Sequence, residues 1–154
     1  MNKEELIRMS FIDLYKKMVW LNKFKLEKSL KGYKSSEIHC IEYIGKNIDS
    51  NVTKLAEVFY MTRGAISKIT KALIKKELIE SYQKSDNRKE IYFKLTNQGQ
   101  RIYQTHAELH KEFSIRDQPI FNQLTAKQMD TMINFVDDYN KHLDEEMKKQ
   151  NLDN

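Results

Sequence analysis

His106 and His110 stand four residues apart, so a helix would put both imidazoles on one face, where they can clasp a single cation. His39 is the third candidate for such a site. The competing reading is that these histidines hydrogen-bond and pack at a helix interface, binding nothing. A second chemistry is concentrated in Thr62, Arg63, Ala65, Ser67, Lys68 and Lys71, where hydroxyls, cations and small residues share one short stretch. That mixture suits the surface of a polyanion. A guanidinium can grip a base edge or phosphate with two parallel hydrogen bonds, whereas a lysine acts as a point charge. Lys84, Arg88 and Lys89 form another basic cluster around Asp86, whose carboxylate is expected to hold Arg88, and Thr53 adds a hydroxyl upstream. Cys40 is the single thiol, which excludes an internal disulfide, a zinc ribbon and a CxxC redox pair. Beside His39 it is either a soft ligand, an oxidation sensor or a buried inert side chain, and free cysteine favours the last.

Ile7, Phe11, Leu14, Met18 and Leu21 alternate at spacings of four and three, which predicts a long helix from about Lys3 to about Leu30, stopped before Gly32. Ser35 or Ser36 is placed to cap a second helix, SEIHCIEYIGKN, with Ile38, Ile41 and Ile44 as its buried stripe. VTKLAEVF reads as a two-turn helix capped by Asn51 or Thr53. Thr62 caps the next, from Arg63 to Lys76, with Ile66, Ile69, Leu73 and Ile74 on one face and Arg63, Ser67, Lys68, Lys71 and Lys75 mainly on others. After Leu78 and Ile79, the segment SYQKSDNRKEIYFKL alternates, with Ile91, Phe93 and Leu95 recurring at period two, and predicts a β-hairpin with a charged tip. Thr96 caps a helix carrying Ile102, Tyr103, His106, Leu109, His110 and Phe113 up to the lone Pro119. A capping box, Thr125 to Gln128, opens the last helix.

The fold class expected is mainly α with a small β-hairpin. We divide the chain into an N-terminal dimerisation helix (1–34), a central lobe (35–96) and C-terminal dimerisation helices (97–154). The short middle cannot cover the apolar seams of both terminal helices, so they are expected to pack together and against a second copy. Met18, Trp20, Phe24, Met129, Met132 and Phe135 either line a pocket for an apolar effector or, as we expect, form dimer core.

The 154 residues suit one compact domain or a small domain with dimerising extensions. With 4 glycines there is no glycine-rich phosphate cradle, and neither GxSxG nor HExxH occurs, so no enzyme is expected. No stretch approaches the ~20 apolar residues of a membrane span, and a lone thiol suits a reducing cytosol. The formal charge is +5. It is uneven: residues 1–50 carry 10 Lys/Arg against 7 Asp/Glu, residues 51–90 carry 9 against 5, and residues 91–154 carry 8 against 10. A basic middle held between less basic ends is an electrostatic footprint for a polyanion.

A short helix, a tight turn, a helix with a basic hydroxylic face and then a charged hairpin make a winged helix-turn-helix. The major groove of duplex DNA admits one helix, which would offer Arg63 to base edges and Lys68 to phosphates. At the hairpin tip, Arg88 would enter the minor groove, where negative potential is concentrated. The alternative is a helical interaction module whose lobe meets protein and binds no DNA.

At these residues the chain resembles the MarR family of bacterial transcriptional regulators over nearly its whole length. The matching stretches are VTKLAEVFYMTRGAISKITKALIKKELIE, the wing SDNRKEIYFKLTNQG with Asp86 and Arg88, and Leu95-Thr96-x-x-Gly99. The resemblance implies homodimers with two winged lobes reading an inverted repeat, usually as a repressor released by an effector. It carries Thr62, Arg63, Ala65, Ser67 and Lys68 onto the recognition helix, and Asp86 and Arg88 onto the wing. Two positions depart from the pattern: Glu77 stands where members often have glycine, and Ser81 where arginine is common. Glu37-x-His39 with HAELH is similar to the zinc-responsive branch, which implies zinc at His39, His106 and His110 with a carboxylate from the first helix, for which Glu27 is the candidate. Other branches answer to acyl chains. No cofactor is required on either reading.

Overall fold

The computed structural model describes residues 1–152. Its elements follow the order α1 (Lys3–Ser29), α2 (Ser35–Lys46), α3 (Val52–Phe59), α4 (Arg63–Lys75), β1 (Ile79–Lys84), β2 (Asn87–Leu95), α5 (Asn97–Phe121) and α6 (Ala126–Leu152). No helix among the described residues is long and apolar enough to cross a membrane. The chain divides into two compact units, Met1–Phe113 and a second that begins at Ser114.

In the first unit, α2, α3 and α4 turn their apolar stripes onto one core. Cys40, Ile41 and Ile44 meet Leu55 and Ala56, Ile66 and Leu73, and the Leu78, Ile79 and Phe93 of the hairpin base. A smaller cluster joins Leu30, Ile38, Leu109 and Phe113, bringing α5 against the end of α1 and the start of α2. Two expected members of the buried faces fall outside. Ile74 is exposed because it lies about 100° round the helix from Leu73, at the rim of the stripe. Ile91 is exposed because the hairpin extends past the core, which ends at Phe93.

The helix starts follow the polar residues that precede them, with one exception. Asn51 accepts from Lys54 N at 2.9 Å, and Thr62 Oγ1 from Ala65 N at 3.1 Å. Thr125 and Gln128 exchange bonds of 2.9 and 3.1 Å in the expected box. Neither Ser35 nor Ser36 caps α2. Lys34 holds the cap position instead, because Glu37 reaches back to its amide at 3.0 Å, which draws Ser35 into the first turn. α5 also runs past Pro119 to Phe121 rather than ending at it. A proline this near a helix end forfeits one backbone bond in a segment whose side chains are mostly exposed.

Three residues other than glycine adopt left-handed backbone, Asp49 (φ 60°), Tyr60 (φ 53°) and Glu77 (φ 59°), and they bracket α3 and α4. Glu77 is the position where the family resemblance leads one to expect glycine. It closes α4, its amide bonding Ile74 O at 2.9 Å while Leu78 N bonds Leu73 O at 3.0 Å, so the chain reverses at a conformation that costs an L-residue roughly 1 kcal/mol.

The hairpin is antiparallel, with Ile79 opposite Leu95, Tyr82 opposite Tyr92 and Lys84 opposite Asn87, and an irregularity between Tyr82 and Lys84. Ser50, ahead of α3, adds a bridge to Phe93, whose amide bonds Ser50 O at 2.9 Å. The wing is thereby tied to the loop that launches the helix pair.

Within the second unit α6 buries none of its described side chains, and Met132, Ile133 and Val136 lie exposed along it. In the first unit, Leu14, Met18, Trp20 and Phe24 of α1 are exposed likewise.

Candidate functional site

α4 has two faces because its apolar residues recur at helical spacing. Ile66, Thr70 and Leu73 point into the core, and Thr70 satisfies its buried hydroxyl on Ser67 O at 3.2 Å. The opposite face presents Thr62, Arg63, Gly64, Lys68 and Lys71 to solvent, with Ala65 and Ser67 half-buried between the two. A Cβ built on Gly64 would meet nothing within 4 Å, so the backbone at the first turn is itself accessible. Neither Arg63 nor Lys68 is engaged in an ion pair among the described residues. The free backbone N–H groups of a helix start add partial positive charge to that of the side chains. Thr53 is exposed on α3. The arrangement can therefore present cations, hydroxyls and backbone donors together to an anionic surface.

Asp86, Arg88 and Lys89 are exposed at the wing tip, as the sequence suggests. The expected contact between Asp86 and Arg88 is absent among the described residues. Asp86 sits at the bend between the strands while β2 begins at Asn87, and both side chains are exposed to solvent. The Arg88 carbonyl accepts from Gln83 Nε2 at 2.9 Å. Lys84 differs from its neighbours. It is half-buried, pairs with Asp49 and lies over the Tyr92 ring, 4.8 Å from its centroid.

His106 and His110 do meet, Nε2 to Nε2 at 3.0 Å. The third member of their cluster is Glu42, whose Oε2 lies 3.4 Å from His106 Nδ1. His39 is not in that group: it is exposed, and its ring stacks on Phe59 with centroids 6.3 Å apart. The carboxylate considered from sequence, Glu27, is engaged elsewhere, and so is Glu37 of the Glu37-x-His39 motif. Glu27 pairs with Lys23 at 3.6 Å, and Glu37 is buried between Lys76 Nζ, 2.9 Å from each oxygen, and the Lys34 amide. Burial and the neighbouring imidazole of His110 push His106 below the usual histidine range, with Glu42 acting against them. For Glu42 burial opposes ionisation, yet the hydrogen bond from Lys46 and the nearby imidazoles hold its carboxyl below the usual range. A neutral imidazole beside an ionised carboxylate is the protonation state that a transition metal requires. Glu42 escapes a reading of the sequence because Glu42 and Lys46 look like an ordinary surface pair four residues apart, which they also are, at 2.6 Å.

Helices α3 and α4 with the β1–β2 wing define a winged helix-turn-helix protein. Residues 34–91 match the model of the MarR family. The chain is 28% identical to the HTH-type transcriptional regulator PchR of Bacillus subtilis (strain 168) over 92% of each sequence. The matched segment spans α2, α3, α4, β1 and the first part of β2. Among solved structures, FabT of Streptococcus pneumoniae in complex with DNA superposes with a TM-score of 0.80 at 19% identity, covering 93% of this chain and 99% of that one. MarR of Staphylococcus aureus, in complex with salicylate and kanamycin, gives 0.72 at 21% identity over 93% of each.

Proposed function

We infer that this protein is a transcriptional regulator that binds double-stranded DNA, α4 lying in the major groove and the wing at the minor groove. The observation that carries this is the exposed face of α4, where Thr62, Arg63, Gly64, Lys68 and Lys71 are open to solvent on a helix whose other face is locked into the core. Its relatives named as transcriptional regulators, and a fold shared with a protein solved on DNA, support the same reading. Thr53, Ala65, Ser67, Asp86, Arg88 and Lys89 complete the proposed interface. The apolar side chains left open on α1 and α6 support a homodimer with residues 1–34 and 97–154 as its dimerisation regions, two lobes 35–96 reading an inverted repeat. In that setting the regulator acts as a repressor released by an effector.

Salt provides the test. A groove-bound protein displaces counterions from phosphate, so affinity for a labelled duplex is expected to fall by roughly 10³-fold or more between 50 and 200 mM salt if six or more phosphates are contacted. A complex whose affinity ignores salt, or the absence of any duplex binding at low salt, overturns the reading in favour of a protein-interaction module.

Glu42, His106 and His110 favour a metal effector over an apolar one. Their donor atoms lie within 4.8 Å of one another, a separation that a tetrahedral zinc with ligand bonds of ~2.0–2.2 Å can span after small rotations. His106 and His110 would supply nitrogen and Glu42 oxygen, leaving one position for water or a further ligand. When bound, the ion would supply a charge that fixes α2 to α5. His110→Ala, at an exposed position, is expected to weaken zinc binding at least about tenfold by competition with a chelating dye while leaving the fold intact. Equal zinc affinity in the two proteins ends the metal reading.

A further inference from the structure

The wing's attachment runs through a carboxylate that the expected DNA contacts leave out. Asp49, in the loop between α2 and α3, accepts from Tyr82 Oη at 2.6 Å through Oδ1 and from Lys84 Nζ through Oδ2. Its backbone carbonyl accepts from Lys54 Nζ of α3 at 3.0 Å. The adjoining Ser50 is fully buried, bonds Asn47 O at 2.7 Å through its hydroxyl and pairs with Phe93 of β2. Asp49 thus touches the first strand of the wing and the first helix of the pair, while Ser50 holds the second strand. Tyr82 and Tyr92 pack across the hairpin, ring centroids 5.6 Å apart, and Lys84 covers the second ring, so the groups that Asp49 binds are themselves fixed. Asp49 occupies left-handed backbone to do this. Strain of that kind persists where surrounding contacts hold it in place.

We propose that Asp49 is a positioning residue for DNA reading: it fixes the wing relative to the helix pair, and Lys84 serves this clamp rather than a phosphate. The proposal rests on the DNA-binding reading above. Electrostatics makes it testable by sign. A carboxylate close to a polyanion repels it, so removing Asp49 for charge reasons alone would tighten DNA binding. Removing a clamp loosens the wing tip and weakens binding through its side chains, chiefly Arg88.

The experiment uses Asp49→Gly, which keeps left-handed backbone without strain, in the full chain. The probe is a duplex selected from a random library by the wild-type protein. Amide hydrogen exchange in the free protein is expected to rise at least about tenfold over residues 84–89 and to stay unchanged in α4. Affinity for the duplex is expected to fall about tenfold in the wild-type background and less than about twofold when Arg88→Ala is already present. Tyr82→Phe, which preserves the ring and removes one bond, should move both readouts in the same direction by less. Unaltered exchange at the wing overturns the clamp whatever the DNA result. Tighter binding, or the same loss in both backgrounds, overturns its role in DNA reading. If the wild type selects no duplex while wing exchange still rises in Asp49→Gly, the DNA-binding reading fails and the positioning role falls with it, leaving a wing clamp alone.

Discussion

Gly99→Ala is expected to destabilise the protein by about 3 kcal/mol, lowering the melting temperature by roughly 10 °C. Gly99 lies in the first turn of α5, and a Cβ there would stand 1.9 Å from the Leu78 carbonyl oxygen and 3.0 Å from its carbon. Leu78 cannot yield. It is fully buried in the main core, and its carbonyl also accepts from Thr96 N at 3.1 Å. Thr96 in turn donates its hydroxyl to Glu77 O at 2.6 Å and accepts from Gly99 N at 3.1 Å. The substitution must therefore shift either the start of α5 or the strand entry to the wing, both held by the same hydrogen bonds. Helix propensity alone argues the other way, alanine being favoured over glycine by about 1 kcal/mol in a helix interior. Urea and thermal denaturation decide between the two, and a neutral or stabilising outcome would show that the close approach relaxes freely.

The second large effect is expected on DNA binding. Arg63→Ala should cost ~1–3 kcal/mol at a specific site, about 5- to 150-fold in affinity, and blur base preference. Lys68→Ala should weaken binding to all sequences and lower the salt slope by about one. Both side chains are exposed on α4, so folding should be unaffected. The division follows from chemistry: a planar guanidinium at the helix start can pair with two acceptors on one guanine edge, while an ammonium one turn later delivers charge without direction. Binding curves on the selected duplex and on a scrambled duplex separate the roles. Equal proportional losses on the two duplexes for both variants would refute the assignment.

Periodicity and caps reveal most of the architecture because each acts locally. Asn51, Thr62, Thr96 and Thr125 sit where the backbone has unsatisfied donors, and the structure starts a helix after each. The recognition face is equally legible, since Ile66 and Leu73 fix which way α4 turns and leave Arg63 and Lys68 outside. What sequence conceals is partnership across distance. Asp49 and Lys84 are separated by most of the lobe, as are Glu37 and Lys76, and nothing in their local spacing announces either pair. The histidines show the same limit: the spacing of His106 and His110 brings them together, but only the packing of α2 on α5 selects Glu42 in place of His39. Resemblance to the family anticipates the need for glycine at position 77, and the left-handed backbone found there supplies the reason.

Cys40 shows what a packed interior does to sulfur chemistry. Only 1% exposed, its thiol is pushed up to about 11 by burial, with the Glu37 carboxylate adding to the effect. At neutral pH roughly one molecule in ten thousand would carry the nucleophilic anion. A peroxide or hypochlorite molecule arriving in solvent would find this sulfur protonated and shielded by the core packed around it.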